Sequence, residues 1–400
     1  MASAAKQAPA RASLLYDPKV RGIFFQAILT LVIGFVAYKA ITNAVSNLRS
    51  AGIASGFGFL NNAAGFDINQ QLIPYSSSGS TYADAFLVGL LNTLLVAAVG
   101  IVLATILGFA IGVARLSSNW VVAKVSMVYV ELVRNLPLLL QLLFWYNAVL
   151  SPLPAPRDSI SFGAGFFLNN RGLSLPKPIL NETAWLIPFA LVAGIVLTLV
   201  FRAWARREQA KTGRQYPVGL VGLGAILGLP ILVWLVLAAI GGANPITFDV
   251  PEKQRFNLRG GMQVFPEFVA LLLGLVTYTA GFIAEVVRAG ILAVSRGQTE
   301  ASYALGLKPG HTLRLVIVPQ AMRVIIPPLT SQYLNLTKNS SLAVAIGYPD
   351  LVQVFMGTVL NQTGQAVEVV AITMAVYLTI SLVTSAIMNI YNRRAAIVER

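Results

Sequence analysis

The sequence predicts an all-α integral membrane protein, and three observations carry that prediction. Hydrophobic residues make up 56% of the chain, charged residues only 11%, and the mean hydropathy is +0.72. A soluble chain of this length needs more charge to cover its surface. The sequence also contains long apolar runs, and a helix needs about 20 apolar residues to cross the hydrocarbon core of a bilayer.

About eight apolar runs are long enough to cross a bilayer as helices. They are residues 22–44, 86–114, 121–150, 185–201, 218–240, 268–292, 315–334 and 367–391. Several runs are longer than one crossing requires, which predicts tilted or kinked helices rather than further spans. Because proline interrupts helical hydrogen bonding, kinks are expected at Pro137, Pro319, Pro327 and Pro328.

Lysine and arginine are distributed unevenly between the predicted loops. The net charge is +14, but the basic residues are not clustered with aromatic residues on a soluble domain, as nucleic-acid binding would require. If the N-terminus is inside, the short inside loops carry the densest basic stretches, above all residues 202–214. This bias predicts that both termini and residues 296–314 are cytoplasmic.

Several kinds of chemistry are excluded by the sequence. The absence of cysteine excludes disulfides, thiolate metal sites and cysteine nucleophiles. There is no G-x-x-x-x-G-K-[ST] stretch, so nucleotide hydrolysis is expected on another subunit. The single histidine, His311, has no serine or carboxylate arrangement around it. We therefore predict that the chain is not an enzyme and has no catalytic residue and no metal site.

The runs fall into a main membrane domain and two additions. Residues 1–85 comprise an uncleaved tail, an extra first helix and an outer loop rich in glycine, serine and asparagine. Residues 86–392 form the main domain, into which a block of two peripheral helices is inserted at about 151–265, and 393–400 form a second tail.

In the second run, the spacing of Gly108 and Gly112 permits close approach of another helix.

Two apolar runs carry a charged pair in the same arrangement. Glu131 and Arg134, and likewise Glu285 and Arg288, are three residues apart, so each pair lies on one helix face and can neutralise itself. A charge at mid-bilayer costs about 3 kcal/mol, so such residues usually face the protein interior and are functional candidates. The alternatives are a purely structural ion pair and, for Arg288, a side chain that reaches the membrane interface.

Residues 335–350 begin polar and continue apolar without the length to cross the bilayer again. This pattern predicts a re-entrant or interfacial piece, with Lys338, Asn339, Ser340 and Ser341 offering hydrogen-bond donors at the outer mouth of a pathway. The alternative is an ordinary loop that caps a short helix.

Residues 296–319, which we call the polar segment, lie between two apolar runs and therefore must lie in water. The order of Glu300, Ala301, Gly306 and Pro319 predicts a short surface helix that ends at Gly306. The residues Pro309-Gly310 are expected to turn the chain back to the membrane.

The polar segment resembles a loop of ABC-importer permeases. Glu300-Ala301-Ser302, followed by Gly306 and Pro319, is similar to their "EAA" loop, a cytoplasmic coupling helix that inserts into a cleft of the ATPase subunit. Residues 129–141, 284–291 and 338–342 resemble the polar amino-acid branch, and the resemblance covers about residues 86–392. Ser302, Val316 and Val318 depart from the loop pattern, which commonly has alanine, isoleucine and leucine there.

The resemblance implies the fold and the partners. It implies a type I ABC importer transmembrane domain with alternating access in a bacterial inner membrane. The extra first helix and the insertion resemble the permease of a general L-amino-acid importer, which pairs with a second, related permease. A periplasmic amino-acid-binding protein and a dimeric ATPase are the other implied partners; ATP and Mg²⁺ belong to the ATPase and no cofactor to this chain.

The resemblance also implies two sets of site residues. The set expected to contact the ATPase is Gln298, Glu300, Ala301, Ser302, Ala304, Leu305, Gly306, Lys308 and His311. The set expected to line the substrate pathway is Glu131, Arg134, Asn135, Gln141, Glu285, Arg288, Lys338, Asn339, Ser340 and Ser341. Two other classes of function compete with this one. A self-contained secondary transporter or channel gives the polar segment no role, and a membrane-anchored scaffold leaves the charged pairs unexplained.

Overall fold

The computed structural model describes residues 18–50, 56–240, 244–255 and 257–395, and it is mostly helical. Most of the two predicted terminal tails, residues 1–17 and 396–400, lies outside the described residues. The chain divides into two compact units. The first comprises Met1–Leu94 and Pro349–Ile387, and the second comprises Leu95–Tyr348 and Met388–Arg400.

Helices account for most of the described chain. They are α1 (Pro18–Ser50), α2 (Tyr82–Ala114), α3 (Trp120–Asn135), α4 (Leu138–Leu143), α5 (Leu186–Thr212), α6 (Val218–Ala239), α7 (Pro266–Leu292), α8 (Arg296–Ala304), α9 (Pro309–Thr312), α10 (Val318–Asn339), α11 (Leu360–Thr363) and α12 (Ala366–Ala395). Stretches with π-helical hydrogen bonding follow α4 at Phe144–Leu150, follow α9 at Leu313–Ile317 and precede α11 at Val352–Val359. A 3₁₀ stretch, Ser340–Ile346, follows α10.

The candidate membrane spans agree in number with the sequence prediction. In the described ranges seven helical stretches are long and apolar enough to cross a membrane, and a bent helix pair brings the number to eight. The predicted third span, residues 121–150, is not one straight helix, because α3 meets the stretch Leu138–Leu150 at 107°. The break lies at Pro137, which disfavours helical geometry in its predecessor: Leu136 is extended at φ −99° and ψ 132°. Pro327 and Pro328, also predicted kink points, lie inside α10, which continues through them.

Short strands flank helices α5 and α6 in the second unit, where the sequence indicated only loops. They are β1 (Ile160–Gly163), β2 (Phe166–Asn169), β3 (Gly172–Leu175), β4 (Lys177–Leu180), β5 (Ile246–Asp249), β6 (Glu252–Lys253), β7 (Leu258–Arg259) and β8 (Met262–Val264). Neighbours pair antiparallel in the orders β1-β2-β3-β8, β4-β5 and β6-β7. We call these strands the β insert and the pair α5–α6 the hairpin.

The hairpin is held together by small residues. Gly194 of α5 lies against the carbonyl of Ala225, and Gly222 of α6 lies against the side chain of Thr198. Small residues of this kind let two membrane helices approach closely. Few residues of the two helices are buried, and these are Ala190, Gly194, Ala205 and Gly222. The other residues of the two helices are exposed or partly exposed.

The core of the second unit is built around α7, which α2 approaches closely. Gly108 of α2 lies against Ile283 and the carbonyl of Ala280, while Gly112 lies against Val287. This contact confirms the close approach that the spacing of the two glycines predicts, since a larger side chain at either position would separate the helices. The end of α2 therefore lies directly beside the last turns of α7.

The contacts within the second unit give the relative directions of its helices. Gly100 of α2 lies beside Leu272 of α7 and Leu336 of α10, and Gly290 of α7 lies beside Ile325 of α10. Helix α2 therefore runs parallel to α7, and α10 runs antiparallel to it. The ends of α2 and α7 and the start of α10 share the side of the polar segment. The β insert, which leads into α7, lies at the other end of that helix.

The first unit has a core of its own. Phe59 and Tyr82 are buried together with Phe355, and the rings of Phe59 and Tyr82 lie 6.1 Å apart. The buried Asn92 donates hydrogen bonds to the carbonyls of Gln70 and Pro349, at 2.8 and 2.9 Å. These bonds tie the loop before α2 to the stretch that precedes the π-helical residues Val352–Val359.

Candidate functional site

The polar segment contains the short helix and the glycine end that the sequence predicts. Helix α8 covers nine residues, and Ser295 precedes it in an extended conformation. Gly306 has φ +75°, the left-handed region that glycine adopts without strain, and its amide donates to the carbonyl of Tyr303 at 2.9 Å. The predicted turn at Pro309-Gly310 is wrong. Pro309 instead begins α9, because its missing amide and fixed φ suit a first helical position.

Ser302 does not lie on the surface of the polar segment. Its side chain is buried; the hydroxyl donates to the carbonyl of Thr299 at 2.7 Å and lies 3.0 Å from the hydroxyl of the buried Thr312. The prediction that Ser302 contacts an ATPase therefore needs correction. A small polar residue is required there because it joins α8 to α9 from the inside.

The other predicted contact residues of the polar segment face outward. The apolar side chain of Leu305 is 82% exposed, and Tyr303 is also exposed. The exposed members of the predicted set are Gln298, Glu300, Ala301, Ala304, Leu305, Gly306, Lys308 and His311. The Gln298 side-chain oxygen also accepts a hydrogen bond from Gln320 of α10 at 3.3 Å. The exposed face is thus attached to both α9 and α10.

Glu285 of α7 lies among three arginines, and we call Arg115, Arg134, Glu285 and Arg288 the charge cluster. Arg288 donates to Glu285 at 2.6 Å, as the sequence predicts for this pair. Arg115, the residue that follows α2, forms an ion pair with the same carboxylate. Arg134 of α3 lies 3.9 Å from it and 5.3 Å from the centre of the Phe282 ring.

The close packing of α2 on α7 brings Arg115 into the charge cluster. Gly112 allows the backbone of α2 to approach Val287 and the carbonyl of Ala284, and Arg115 follows three residues later. Because residues three apart lie on one helix face, Arg115 then points toward Glu285. Arg115 is not among the predicted site residues, and its position three residues after Gly112 is the sequence signal that points to it.

The structure contradicts the predicted pair of Glu131 and Arg134. No ion pair joins Glu131 and Arg134 in the described ranges, because Arg134 turns toward Glu285 instead. The exposed Glu131 accepts hydrogen bonds from Asn135, through its carbonyl at 2.8 Å and its carboxylate at 3.4 Å. The charge cluster thus contains three cations and one anion. Its net positive charge favours the binding of an anionic group.

Gln141 stabilises the break between α3 and α4. Its buried amide donates to the carbonyls of Val133 and Leu136, at 2.9 and 3.1 Å, which lose helical partners at the break. It also lines a mostly apolar cavity of about 350 Å³ with Tyr129, Val133, Leu136, Leu140, Phe144, Trp145 and Thr277. Gln141 thus lies at the cavity wall, but its side-chain nitrogen already donates its hydrogen bonds to the backbone.

The predicted polar group at the end of α10 is separate from the charge cluster. Lys338 is exposed, Asn339 is partly buried, and the hydroxyls of Ser340 and Ser341 donate to the carbonyls of Thr337 and Lys338 at 2.7 Å. Gly290 lies beside Ile325, so the level of Glu285 corresponds to about residue 330, and Lys338 lies about 12 Å further along α10. The structure thus brings together Arg134, Glu285 and Arg288, but not the four residues 338–341.

Asp350 is a buried carboxyl outside the two predicted sets of site residues. In the first unit it accepts hydrogen bonds from the amide of Gln353 at 2.8 Å and the hydroxyl of Tyr377 at 3.2 Å. Burial raises the pKa of Asp350 to about 7, and the hydrogen bonds only partly offset that effect. In the described part of the chain no group of three His, Asp and Glu side chains could hold a metal ion.

Comparison with protein families gives a match that includes the polar segment and Glu285. Residues 218–397 match the family described as binding-protein-dependent transport system inner membrane component. The match includes α7, α8 and α10 and therefore most of the features described above.

Comparison with curated proteins gives relatives along almost the whole chain. The chain is 55% identical over 390 residues to the general L-amino acid transport system permease protein AapQ of Rhizobium johnstonii, with 97% of this chain and 95% of that protein covered. It is 54% identical to the putative amino-acid ABC transporter permease protein YhdX of Escherichia coli, with 96% of each covered. The glutamine transport system permease protein GlnP of Escherichia coli is shorter: at 30% identity, 55% of this chain covers 94% of it.

Proposed function

Because this chain belongs to the inner-membrane permease subunits of ABC transporters for amino acids, we propose that it forms half of an import pathway for L-amino acids. The names of two relatives, a general L-amino acid permease and a putative amino-acid ABC permease, support this substrate class. Family membership also favours the importer over a self-contained secondary transporter or channel. In this proposal a second, related permease forms the other half.

The polar segment is the observation that carries the proposal. Its short helix presents the exposed Leu305 at its end, and Gly306 ends it in a left-handed conformation. Leu305 and the exposed Tyr303 lie among polar residues on one outward surface, and we propose that a partner covers them. We assign that contact to a separate ATPase subunit, which supplies ATP and Mg²⁺. The ATPase side implies that this face and both termini are cytoplasmic.

The contacts of α8 give it a mechanical role in this proposal. Ser302 attaches α8 to Thr312 of α9, and Gln298 attaches it to Gln320 of α10. When the ATPase subunits move, a displacement of α8 is passed to α10, which packs against α7. The residues that contact the ATPase and the residues that line the pathway are thereby linked through two side-chain hydrogen bonds. Alternating access requires such a link between ATP hydrolysis and the membrane helices.

The charge cluster suggests how the pathway treats its substrate. An amino acid carries one carboxylate and one ammonium group. Since Glu285 is already surrounded by arginines, it serves to hold them rather than to bind the ammonium group. Arg134, the most exposed of the three arginines at 36% of its side chain, is then the residue that meets the substrate carboxylate. A periplasmic binding protein delivers the substrate at the opposite side, where residues 338–341 lie.

The proposed division of the chain is supported by the length of a relative. The shorter glutamine permease is nearly completely covered by 55% of this chain. We propose that residues 86–392 contain the permease domain and that residues 151–265, which include the hairpin and the whole β insert, are an addition to it. Residues 1–85 are a second addition.

The test of the proposed function is the substitution Gly306→Asp, with Gly306→Asn as its matched control. Asparagine and aspartate have nearly the same shape and both tolerate a left-handed conformation, so the pair differs mainly in charge. We expect Gly306→Asp to lower ATP-driven amino-acid uptake into vesicles by at least about tenfold, and Gly306→Asn to lower it by less than about threefold. Both should retain the paired permease during purification.

Two results would contradict the proposal. One is uptake by Gly306→Asp at the rate of the unchanged chain, since the segment would then not transmit the work of the ATPase. The other is uptake by the purified chain alone, without ATP or an ATPase, because that is the behaviour of a secondary transporter.

A further inference from the structure

The end of α5 is longer than a membrane crossing requires and is strongly basic. At 1.5 Å per residue the 27 residues of α5 extend about 40 Å, whereas the hydrocarbon core is about 30 Å thick. The excess contains Arg202, Arg206, Arg207 and Lys211, and Arg214 follows in the loop before α6. We call these five residues the basic end of the hairpin.

The side chains of the basic end point away from the rest of the hairpin. At about 100° per residue, Arg202, Arg206, Arg207 and Lys211 cover one half of the helix circumference. The buried Ala205 lies on the other half. All five residues of the basic end are exposed, and none pairs with a carboxylate within the part of the chain that the structure describes. Their charge is therefore available to a partner outside the chain.

Three aromatic residues mark the depth of this end in the membrane. The Trp204 ring lies 5.6 Å from the Phe201 ring and 4.9 Å from the Tyr216 ring, so the group joins α5 to the loop before α6. Tryptophan and tyrosine are enriched where a membrane protein passes through the headgroup layer. Arg202, Arg206 and Arg207 lie within three residues of Trp204, about 4.5 Å along the helix axis, so we place them at the level of the lipid phosphates.

The strand pairings give the side of the membrane. Strand β4 leads into α5, β5 follows α6, and β4 pairs with β5. The basic end is thus at the opposite end of the hairpin from the β insert. Strand β8 leads into α7, which ends at the polar segment. With one crossing for each helix, the basic end and the polar segment lie on the same side of the bilayer.

We infer that the basic end of the hairpin is a binding site for the headgroups of anionic phospholipids of the bilayer. Four of its five members are arginines, whose planar guanidinium groups bind phosphate oxygens in pairs. A cluster of four to eight basic residues directly beyond a membrane helix attracts anionic lipid through its surface potential. This role is separate from transport, because these residues belong neither to the charge cluster nor to the polar segment.

Trp204 provides a local probe for this site. Lipids with brominated acyl chains quench tryptophan fluorescence on contact, and the Trp204 component is obtained by subtracting the signal of Trp204→Phe. We compare vesicles in which either phosphatidylglycerol or phosphatidylcholine is brominated. The mole fraction of brominated lipid that quenches half of the Trp204 component should be at least about tenfold lower for phosphatidylglycerol than for phosphatidylcholine. Each basic residue near an anionic surface contributes about fivefold at low salt. The preference should fall as salt is added.

The variant that tests the site replaces Arg206, Arg207, Lys211 and Arg214 with glutamine. We expect it to lose the preference for phosphatidylglycerol at Trp204. A matched control replaces the exposed Arg171, Lys177, Lys253 and Arg259 of the loop and strands of the β insert with glutamine, which removes the same charge and should keep the preference. A conservative variant, Arg206→Lys with Arg207→Lys, keeps the charge and should also keep most of it.

Three results would overturn the inference. Equal quenching of Trp204 by the two brominated lipids in the unchanged chain would show that no anionic lipid is selected. A preference that survives in the glutamine variant would place the lipid elsewhere. If the glutamine variant keeps the preference but no longer purifies with the ATPase, the basic end is a protein-binding surface. The size-exclusion profile of each variant confirms that it is folded before quenching is measured.

Discussion

Helix α7 and the hairpin differ in how burial relates to hydropathy: the less apolar helix is the more buried one, whereas in a soluble protein the most apolar helix is usually the most buried. In the most apolar part of α7, 56% of residues are buried at a mean hydropathy of 1.9. The two hairpin helices are more apolar, at 2.3 and 2.6, yet only 11% of each is buried. Lipid is the solvent for the hairpin, so its surface must be apolar. Helix α7 can carry polar residues because neighbouring helices surround it.

The two regions therefore hold charge differently. In the core, Glu285 lies within an apolar helix and is neutralised by Arg115 and Arg288. In the hairpin, the charges stand beyond the apolar stretch and have no carboxylate partner among the described residues. Removing a charge should thus destabilise the core, whereas removing one from the hairpin should alter only what binds there.

The largest effect is expected for Glu285→Gln. The change leaves three arginines close together without an anion, so we expect the free energy of unfolding to fall by about 2–3 kcal/mol, somewhat less than for a fully buried pair. Thermal unfolding of the purified protein in detergent measures the loss. Glu131→Gln is the matched control in an exposed position without an ion pair, and its effect should stay within about 0.5 kcal/mol. Equal effects for both variants would contradict a structural role for the cluster.

Asp350 extends the comparison to a buried carboxyl that is not surrounded by arginines. Its pKa is about 7 in the folded protein against an ordinary value of 3.8. Between these values the folded chain holds a proton that the unfolded chain has lost, so stability falls as the pH rises toward 7 and is constant above it. We expect a loss of about 2 kcal/mol between pH 5 and pH 7.5.

The variant Asp350→Asn isolates the contribution of this carboxyl. Asparagine still accepts a hydrogen bond from the amide of Gln353 but does not titrate. The difference in unfolding temperature between the variant and the unchanged chain should therefore grow in favour of the variant as the pH rises. A difference that is constant with pH would show that Asp350 does not titrate in this range.

A smaller effect is expected for Gly112→Ala. The added methyl group would lie 2.7 Å from the Cβ of Val287 and 2.8 Å from the carbonyl oxygen of Ala284, so α2 must move away from α7. We expect a loss of about 1–2 kcal/mol in thermal unfolding. Gly228→Ala in the hairpin has no atom within 4 Å of the new group and should be neutral or slightly stabilising. A neutral Gly112→Ala would contradict the close packing that places Arg115.

The fold was largely predictable from composition and run length, because the bilayer imposes both. The spans, the break at Pro137 and the glycine contact of α2 each follow from one local rule. The β insert was missed because its strands have only two to four residues, and two of its pairings, β3 with β8 and β4 with β5, join segments on either side of the hairpin. No local pattern of that length distinguishes a strand from a loop.

The candidate site was predictable where its partners are near in sequence. The pair Glu285–Arg288 follows from helical spacing, and Gly306 follows from the position of a glycine after a short helix. Arg115 and Arg134 could not be assigned to Glu285, since they are 170 and 151 residues away and only the packing of three helices brings them together. Ser302 was placed on the wrong side because its burial depends on Thr312, ten residues later.

Cross-linking from the end of α8 tests the central claim most directly, namely that the polar segment contacts an ATPase. The chain contains no cysteine, so a single introduced thiol is the only one present in it. Leu305→Cys, at a position 82% exposed, should cross-link to the ATPase subunit in membranes that contain the whole complex. Leu180→Cys in β4, at a position 71% exposed, is the control on the opposite side and should not. If the thiol of the Leu305→Cys variant reacts with a soluble thiol reagent but forms no adduct with the ATPase, the polar segment does not contact the ATPase.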